Sequence, residues 1–100
     1  MANWTEKHIK AVWEKAEVVK HVDSNKCRKD QCGAWIQFDE HGNRDNDFGW
    51  EIDHITPVSK GGSNLLANLR PLQWENNASR SDDRLKAVIT SDGNKNVRVG

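Results

Sequence analysis

Asp53 and His54 stand side by side behind Phe48-Gly49-Trp50-Glu51-Ile52, a run with strand character. A carboxylate is a hard oxygen ligand suited to Mg2+-like ions. A neutral imidazole titrates near about pH 6.5 and can take a proton from water at neutral pH. A metal beside a general base is what phosphodiester hydrolysis requires. The base makes the nucleophile, and the metal offsets the charge that builds on the phosphoryl and leaving oxygens. Further along, Asn77 carries an amide oxygen that can serve as a second metal ligand. An isolated Asp-His pair is more often a turn carboxylate beside a structural histidine, so the elements around it carry the weight.

Those elements describe an α+β chain. Residues 3–20 read as a helix, capped by Asn3 or Thr5, with Glu6 three residues after Asn3. Ile9, Val12, Trp13, Ala16 and Val19 recur at three- and four-residue steps and make one apolar core face. Residues 21–31 are polar and read as a connecting loop. Residues 34–38 and 48–52 read as two strands of a hairpin, and the Gly-, Asn- and Asp-rich segment 39–47 forms its long tip. His41 falls in that tip and is expected to be a solvated turn residue. Residues 55–68, with Pro57, Gly61, Gly62, Ser63 and Asn64, form a compact returning loop. Residues 69–74 can make a short strand that Pro71 keeps at an edge. Residues 75–88 read as a helix with Ala78, Leu85 and Val88 inward, and residues 91–100 as a frayed tail or a last edge strand. Strict strand alternation sends Asp53 and His54 to opposite faces, so one shared site requires the strand to end or bulge there.

In order, the chain reads Trp50-Glu51-Ile52-Asp53-His54, Pro57, Gly61-Gly62, Asn68-Leu69-Arg70-Pro71-Leu72, and Asn77 with Arg80. This series resembles the HNH endonuclease family. The resemblance covers about residues 48–86, within a single domain of residues 1–100. It implies a ββα-metal (His-Me finger) core, to which an N-terminal helix and an upstream hairpin strand are added. It further implies His54 as the general base. Asp53 and Asn77 would be ligands of one divalent cation, and Asn68 the residue that braces the loop and so orients His54. Arg80, Lys60 and Arg70 would be phosphate contacts. The products would carry a 5′-phosphate and a 3′-hydroxyl. Mg2+ is the expected metal, with Mn2+, Zn2+ or Ni2+ as alternatives. Asn77 stands where many relatives have His, which weakens the preference for the softer ions. The pairs of cysteines found in many relatives are missing. Packing by Trp35, Trp50 and Trp74 is expected to supply the stability they give, and no structural zinc is expected at Cys27 and Cys32. Two free thiols, with Cys32 packed inside, are the expectation.

Composition sets bounds on this reading. One hundred residues with 35% apolar and 30% charged side chains suit one globular domain. No run long enough to span a membrane and no secretory signal is visible, so a cytoplasmic location is expected. The formal net charge is zero, but residues 1–53 carry 8 Lys/Arg against 11 Asp/Glu and residues 54–100 carry 7 against 4. The positive half therefore surrounds the motif. Nucleic acid is the expected partner, with DNA ahead of RNA. Strong sequence specificity would need a groove-reading element that the chain does not show. A binding module that keeps the fold without catalysis is the competing reading, favoured by the zero net charge. A toxin domain delivered to rival cells is a third.

Overall fold

The computed structural model describes residues 4–80 and 84–100. Helix α1 spans Glu6–Trp13, and the Thr5 side chain caps it by accepting from the His8 N–H at 3.2 Å. Asn3, the other candidate cap, lies outside the described residues. The helix ends well short of residue 20. Glu17 is already paired antiparallel with Lys29, their N–H groups and carbonyls exchanging bonds of 2.8 and 3.1 Å. The carbonyls left open by this early stop are taken by the buried Arg28 guanidinium, whose Nη1 donates to Glu14 O at 3.1 Å and Ala16 O at 3.3 Å. Val12, Trp13 and Ala16 still face the core, as their spacing requires.

Among the described residues, six short strands pair antiparallel in three two-stranded sheets: β1 (Cys27–Lys29) with β2 (Trp35–Gln37), β3 (Trp50–His54) with β4 (Leu69–Gln73), and β5 (Ile89–Asp92) with β6 (Lys95–Arg98). The hairpin expected between residues 34–38 and 48–52 is therefore corrected. Strand β2 pairs with β1, inside the segment read as a loop. The bond from Gln37 N to Phe48 O joins it to the approach to β3. In residues 39–47, Asn43 and Asn46 side chains accept from the N–H groups two residues on, at 2.9 and 2.8 Å. These Asx turns lead the chain around instead of straight back. His41 is half-buried, its ring 4.8 Å from the Trp50 ring, so it is not the solvated turn residue expected.

The second helix, α2, is only Trp74–Ala78, and the Gln73 side chain caps it, accepting from Glu75 N and Asn76 N. The helix expected over 75–88 is thus overturned beyond its first turn, and Ala78 is exposed. Residues 81–83 of that span lie outside the described residues. The cause is Asn76, whose Oδ1 accepts from the N–H groups of both Val88 and Ile89 at 2.8 Å. Those donors would be spent within a continuing helix. Here they anchor the chain in an extended form that leads into β5. The tail then turns at Gly93, at φ 62°, and returns as β6.

The apolar core joins Val12, Trp13 and Ala16 to Ile36, Trp50, Ile52 and Leu69, with Trp4, Ile9 and Phe38 packed against it. The Trp13 ring lies 5.5 Å from both Trp50 and Phe38, so tilted and edge-on aromatic contacts organise it. Of the tryptophans expected to replace cysteine-based stabilisation, only Trp50 is fully buried. Trp35 and Trp74 are half-buried, and their indole N–H groups donate to Gly93 O at 2.7 Å and Asn46 O at 3.0 Å.

A buried polar cluster carries the remainder. Asp30, Gln73 and Asn76 are all at most 1% exposed. Asp30 Oδ1 accepts from Cys32 N and Ala34 N at 2.9 Å, and Oδ2 accepts from Gln73 N at 2.9 Å and Asn76 Nδ2 at 3.0 Å. Asn76 Nδ2 also donates to Ile89 O at 3.0 Å. One carboxylate and one amide thus tie together the loop after β1, strand β4, helix α2 and strand β5. Burial pushes the Asp30 carboxyl up, and the four N–H donors pull it back only in part. Both cysteines are free thiols and half-buried, so Cys32 is less deeply packed than expected. Burial, and then the Asp30 charge, raise the Cys32 thiol to about 11, which keeps it protonated.

Candidate active site

The pairing of β3 with β4 is regular to its end: Asp53 faces Arg70 across the sheet and His54 faces Leu69, with no bulge. Alternation therefore holds, and Asp53 and His54 leave the strand on opposite faces. Glu51 and Asp53 meet side chains from α2 and the residues just after it. His54 lies on the face of Trp50 and Ile52, where its ring is 5.6 Å from Trp4.

On the first face, Asp53 is 5% exposed and gripped from two sides. Arg70 Nε donates to its Oδ2 at 2.6 Å, and Arg80 Nη1 donates to its Oδ1 at 2.6 Å. Arg80 Nη1 also donates to His54 O at 2.7 Å, tying the ends of α2 and β3 together. One turn back, Asn77 Nδ2 donates to Glu51 Oε1 at 2.8 Å, and Arg44 closes a two-point ion pair on Glu51 at 2.7 and 2.8 Å. Burial pushes the Glu51 carboxyl up, but Arg44, Asn77 and His41 together outweigh it and the net shift is downward. Burial lowers the His41 imidazole, against a smaller upward pull from Glu51.

On the other side, the loop of residues 55–68 folds over the end of β3. Gly61, at φ 89°, takes a left-handed turn that a side chain would strain. Gly62 packs so closely that a Cβ would lie 1.7 Å from Thr56 O. Asn68 locks the loop as its motif position suggests. Its Oδ1 accepts from Thr56 N at 2.8 Å, and its Nδ2 donates to Thr56 O at 3.1 Å and Ser63 O at 2.8 Å. Lys15 fastens the exit by donating to Leu66 O at 2.7 Å and Leu69 O at 2.5 Å. The loop sets Asn64 against His54, with Asn64 Oδ1 2.7 Å from His54 Nε2.

The sequence-derived site residues thus divide. Asp53, Arg70 and Arg80 form one cluster, with Asn77 beside it through Glu51. His54 belongs to the loop that Asn68 braces. Lys60 sits exposed on that loop, in the short turn Val58–Lys60. Arg70 and Arg80 are held inward by Asp53, their side chains 14% and 13% exposed. The sequence reading missed Glu51, Asn64, Asp30 and Asn76. Glu51 shares the Asp53 face by simple alternation, and Asn64 follows the Gly-Gly pair, so both had a positional signal. Nothing in the sequence marks Asp30 as the partner of Asn76.

Asp53 and Asn77 fit a hard divalent cation by the chemistry of their oxygens. The Asn77 amide oxygen carries no hydrogen bond among the described residues, whereas both Asp53 oxygens are held by guanidinium groups. Among the described residues there is no group of three or more His, Cys, Asp and Glu side chains that could hold a metal ion. A cation taking Asp53 as a ligand therefore competes with Arg70 and Arg80. No helix among the described residues is long and apolar enough to cross a membrane.

A small mixed α/β chain with a histidine at a strand end, a Gly-Gly loop braced by Asn68, and a returning strand and helix defines the class. Residues 38–80 match the family model described as HNH endonuclease, so the resemblance carried by the motif is shown over that segment. The match points to nuclease activity and to nucleic acid as partner in general terms, and the family's members typically use a divalent metal. No curated protein and no solved structure matches the chain.

Proposed function

We propose that the protein is a metal-dependent endonuclease that hydrolyses phosphodiester bonds of DNA, with His54 as general base. The observation that carries this reading is the placing of His54. It ends β3 on an imidazole that is only partly covered, beside a loop held by three hydrogen bonds of Asn68. A neutral imidazole there can accept the proton of an attacking water. Asp53 and Asn77 would hold the divalent cation, which when bound supplies charge stabilisation on the phosphoryl and leaving oxygens. Arg70 and Arg80 stand at Asp53 as the nearest fixed positive charges. They favour a phosphate drawn towards that cluster, and Lys60 adds a charge on the loop. Arg80 also holds the His54 carbonyl, which keeps the strand end and the Asp53 cluster in one frame.

Two observations favour a second reading, a nucleic-acid-binding module without catalysis: the Asp53 carboxylate is committed to two arginines, and Asp53 and His54 leave β3 on opposite faces. The test is cleavage of supercoiled plasmid with Mg2+ or Mn2+, against EDTA and His54→Ala controls. Nicking lost in both controls supports the nuclease. If plasmid, single-stranded DNA and RNA all survive with every divalent ion, while the protein still shifts DNA in a gel, the binding module replaces it.

A further inference from the structure

We infer that the cleft on the outer face of the β1–β2 sheet receives one unpaired base of the nucleic-acid substrate. The inference rests on nucleic acid as the partner, and it adds a binding site apart from the one around Asp53 and His54. Arg28 and Ile36 of this sheet are buried, so alternation turns Cys27, Lys29, Trp35 and Gln37 to its other face. Together with Val22, Phe48 and Asn94, the side chains of Cys27, Trp35 and Gln37 line a cleft of about 220 Å³. That is less than the roughly 300 Å³ at which drug-sized pockets begin, and it suits a single ring system.

The chemistry of the lining selects the occupant. Trp35 is held rigidly by the β5–β6 hairpin: its indole N–H donates to Gly93 O at 2.7 Å, and the Asn96 amide bonds its backbone N–H and carbonyl at 2.7 and 2.9 Å. A ring fixed in this way loses little freedom when another ring packs on it. The Gln37 and Asn94 amides make no side-chain hydrogen bond among the described residues, so both are open to the donors and acceptors on a base edge. The charge suits a phosphate backbone. Lys29 lies across the sheet from Trp35 with Nζ 4.8 Å from its ring centre, and no acidic side chain lines the cleft. Glu17, the backbone partner of Lys29, forms no ion pair with it among the described residues. A stacked base therefore brings its phosphate to a free ammonium group, whereas an uncharged ring would leave that group unused. A base within a duplex keeps its faces stacked and its edge paired, so the occupant is an unpaired one. The cleft adjoins the start of β3 through Phe48, and His54 ends that strand, about 13 Å further on. One single strand of the usual site size, about 4–16 nucleotides, spans that distance.

The experiment uses the full chain in EDTA, so cleavage plays no part. The probes are an oligothymidylate of about 12 nucleotides, an abasic oligomer of the same length and charge, and thymidine monophosphate. Cys27 reports on the cleft through its rate of methylthiolation, read by mass spectrometry. Cys32, whose thiol is held protonated, is the slow internal reference. The oligothymidylate is expected to slow Cys27 labelling by about fivefold or more, and the abasic oligomer to leave it unchanged. Cys27→Phe, which fills the cleft, is expected to weaken the oligothymidylate by about tenfold and the abasic oligomer hardly at all. The labelling arm uses the unaltered chain, so it stands even where a substitution disturbs folding. Oligothymidylate that binds without protecting Cys27, or an abasic oligomer that protects it equally, would overturn the inference. Equal protection by thymidine monophosphate at the same concentration would also overturn it, in favour of a free-nucleotide site. Binding of neither oligomer would remove nucleic acid as the partner, and the inference with it.

Discussion

Arg80 Nη1 donates to the Asp53 carboxylate at 2.6 Å and to the His54 carbonyl at 2.7 Å, so one guanidinium nitrogen fastens both residues of the Asp-His pair. With Arg70 on the second oxygen, Asp53 is the hinge of a buried Arg–Asp–Arg arrangement. Removing the central carboxylate leaves two largely buried cations facing each other. Asp53→Ala is expected to cost about 3–5 kcal/mol of stability, whatever its effect on cleavage. Urea unfolding measures it, and a midpoint equal to wild type would contradict the arrangement.

Freeing one Asp53 oxygen is expected to help a cation. Arg70→Ala removes both a competing charge-assisted hydrogen bond and a like charge, together worth roughly 1.5 kcal/mol or more. Affinity for Mn2+, followed by calorimetry in the absence of nucleic acid, is expected to rise by about tenfold. Weaker Mn2+ binding in Arg70→Ala would show that Asp53 is not the ligand that Arg70 competes for.

The Asp30–Asn76 cluster is expected to be the stability centre of the fold. Asn76→Ala removes the acceptor shared by the Val88 and Ile89 N–H groups and the donor to Ile89 O and to the buried Asp30 carboxylate, at about 3 kcal/mol or more. Hydrogen exchange checks the mechanism. The amides of Val88 and Ile89, both bonded to Asn76 Oδ1, are expected to lose protection first. If they keep wild-type protection, the cluster does not hold β5.

Gly62→Ala tests the loop. Its new Cβ meets backbone at Thr56 O, so the loop must move rather than a side chain. Cleavage is expected to fall by at least about tenfold, because displacing a catalytic group by about an ångström costs more than this. The thermal midpoint is expected to change far less than in Asn76→Ala, and equal loss in the two variants would assign Gly62 to folding instead.

The pH dependence of stability has opposing parts. Glu51 is depressed below its ordinary 4.5, so its contribution is complete above that value and is lost as pH falls through the lower folded-state value. His41 is depressed below 6.5, so it also loses stability as pH falls, starting higher. Asp30 is raised above 3.8, so its contribution is complete below that value and is lost as pH rises through the raised one. Thermal midpoints across the acid range are expected to fall less steeply in Glu51→Gln than in wild type. A steeper fall would contradict the depressed Glu51.

The order Asp53-His54, Gly-Gly loop, Asn68, and Asn77 with Arg80 was legible in the sequence. These are local patterns, and local geometry makes them legible. Gly61 and Gly62 are required where the backbone turns left-handed or touches Thr56 O, and Asn68 bonds Ser63 and Thr56, five and twelve residues back in the same loop. The apolar spacing of Val12, Trp13 and Ala16 likewise survived, although the helix that suggested it ended at Trp13. Tertiary packing alone settled which strands pair. It also decided that residues after Ala78 leave the helix, and that Asp53 is held by Arg70 and Arg80. The contacts that decide these features join groups well apart in the chain: Asn76 and Val88 by 12 residues, Arg70 and Asp53 by 17, Asn76 and Asp30 by 46. At that separation the choice rests on which buried donors and acceptors can be satisfied together, and no local propensity records that.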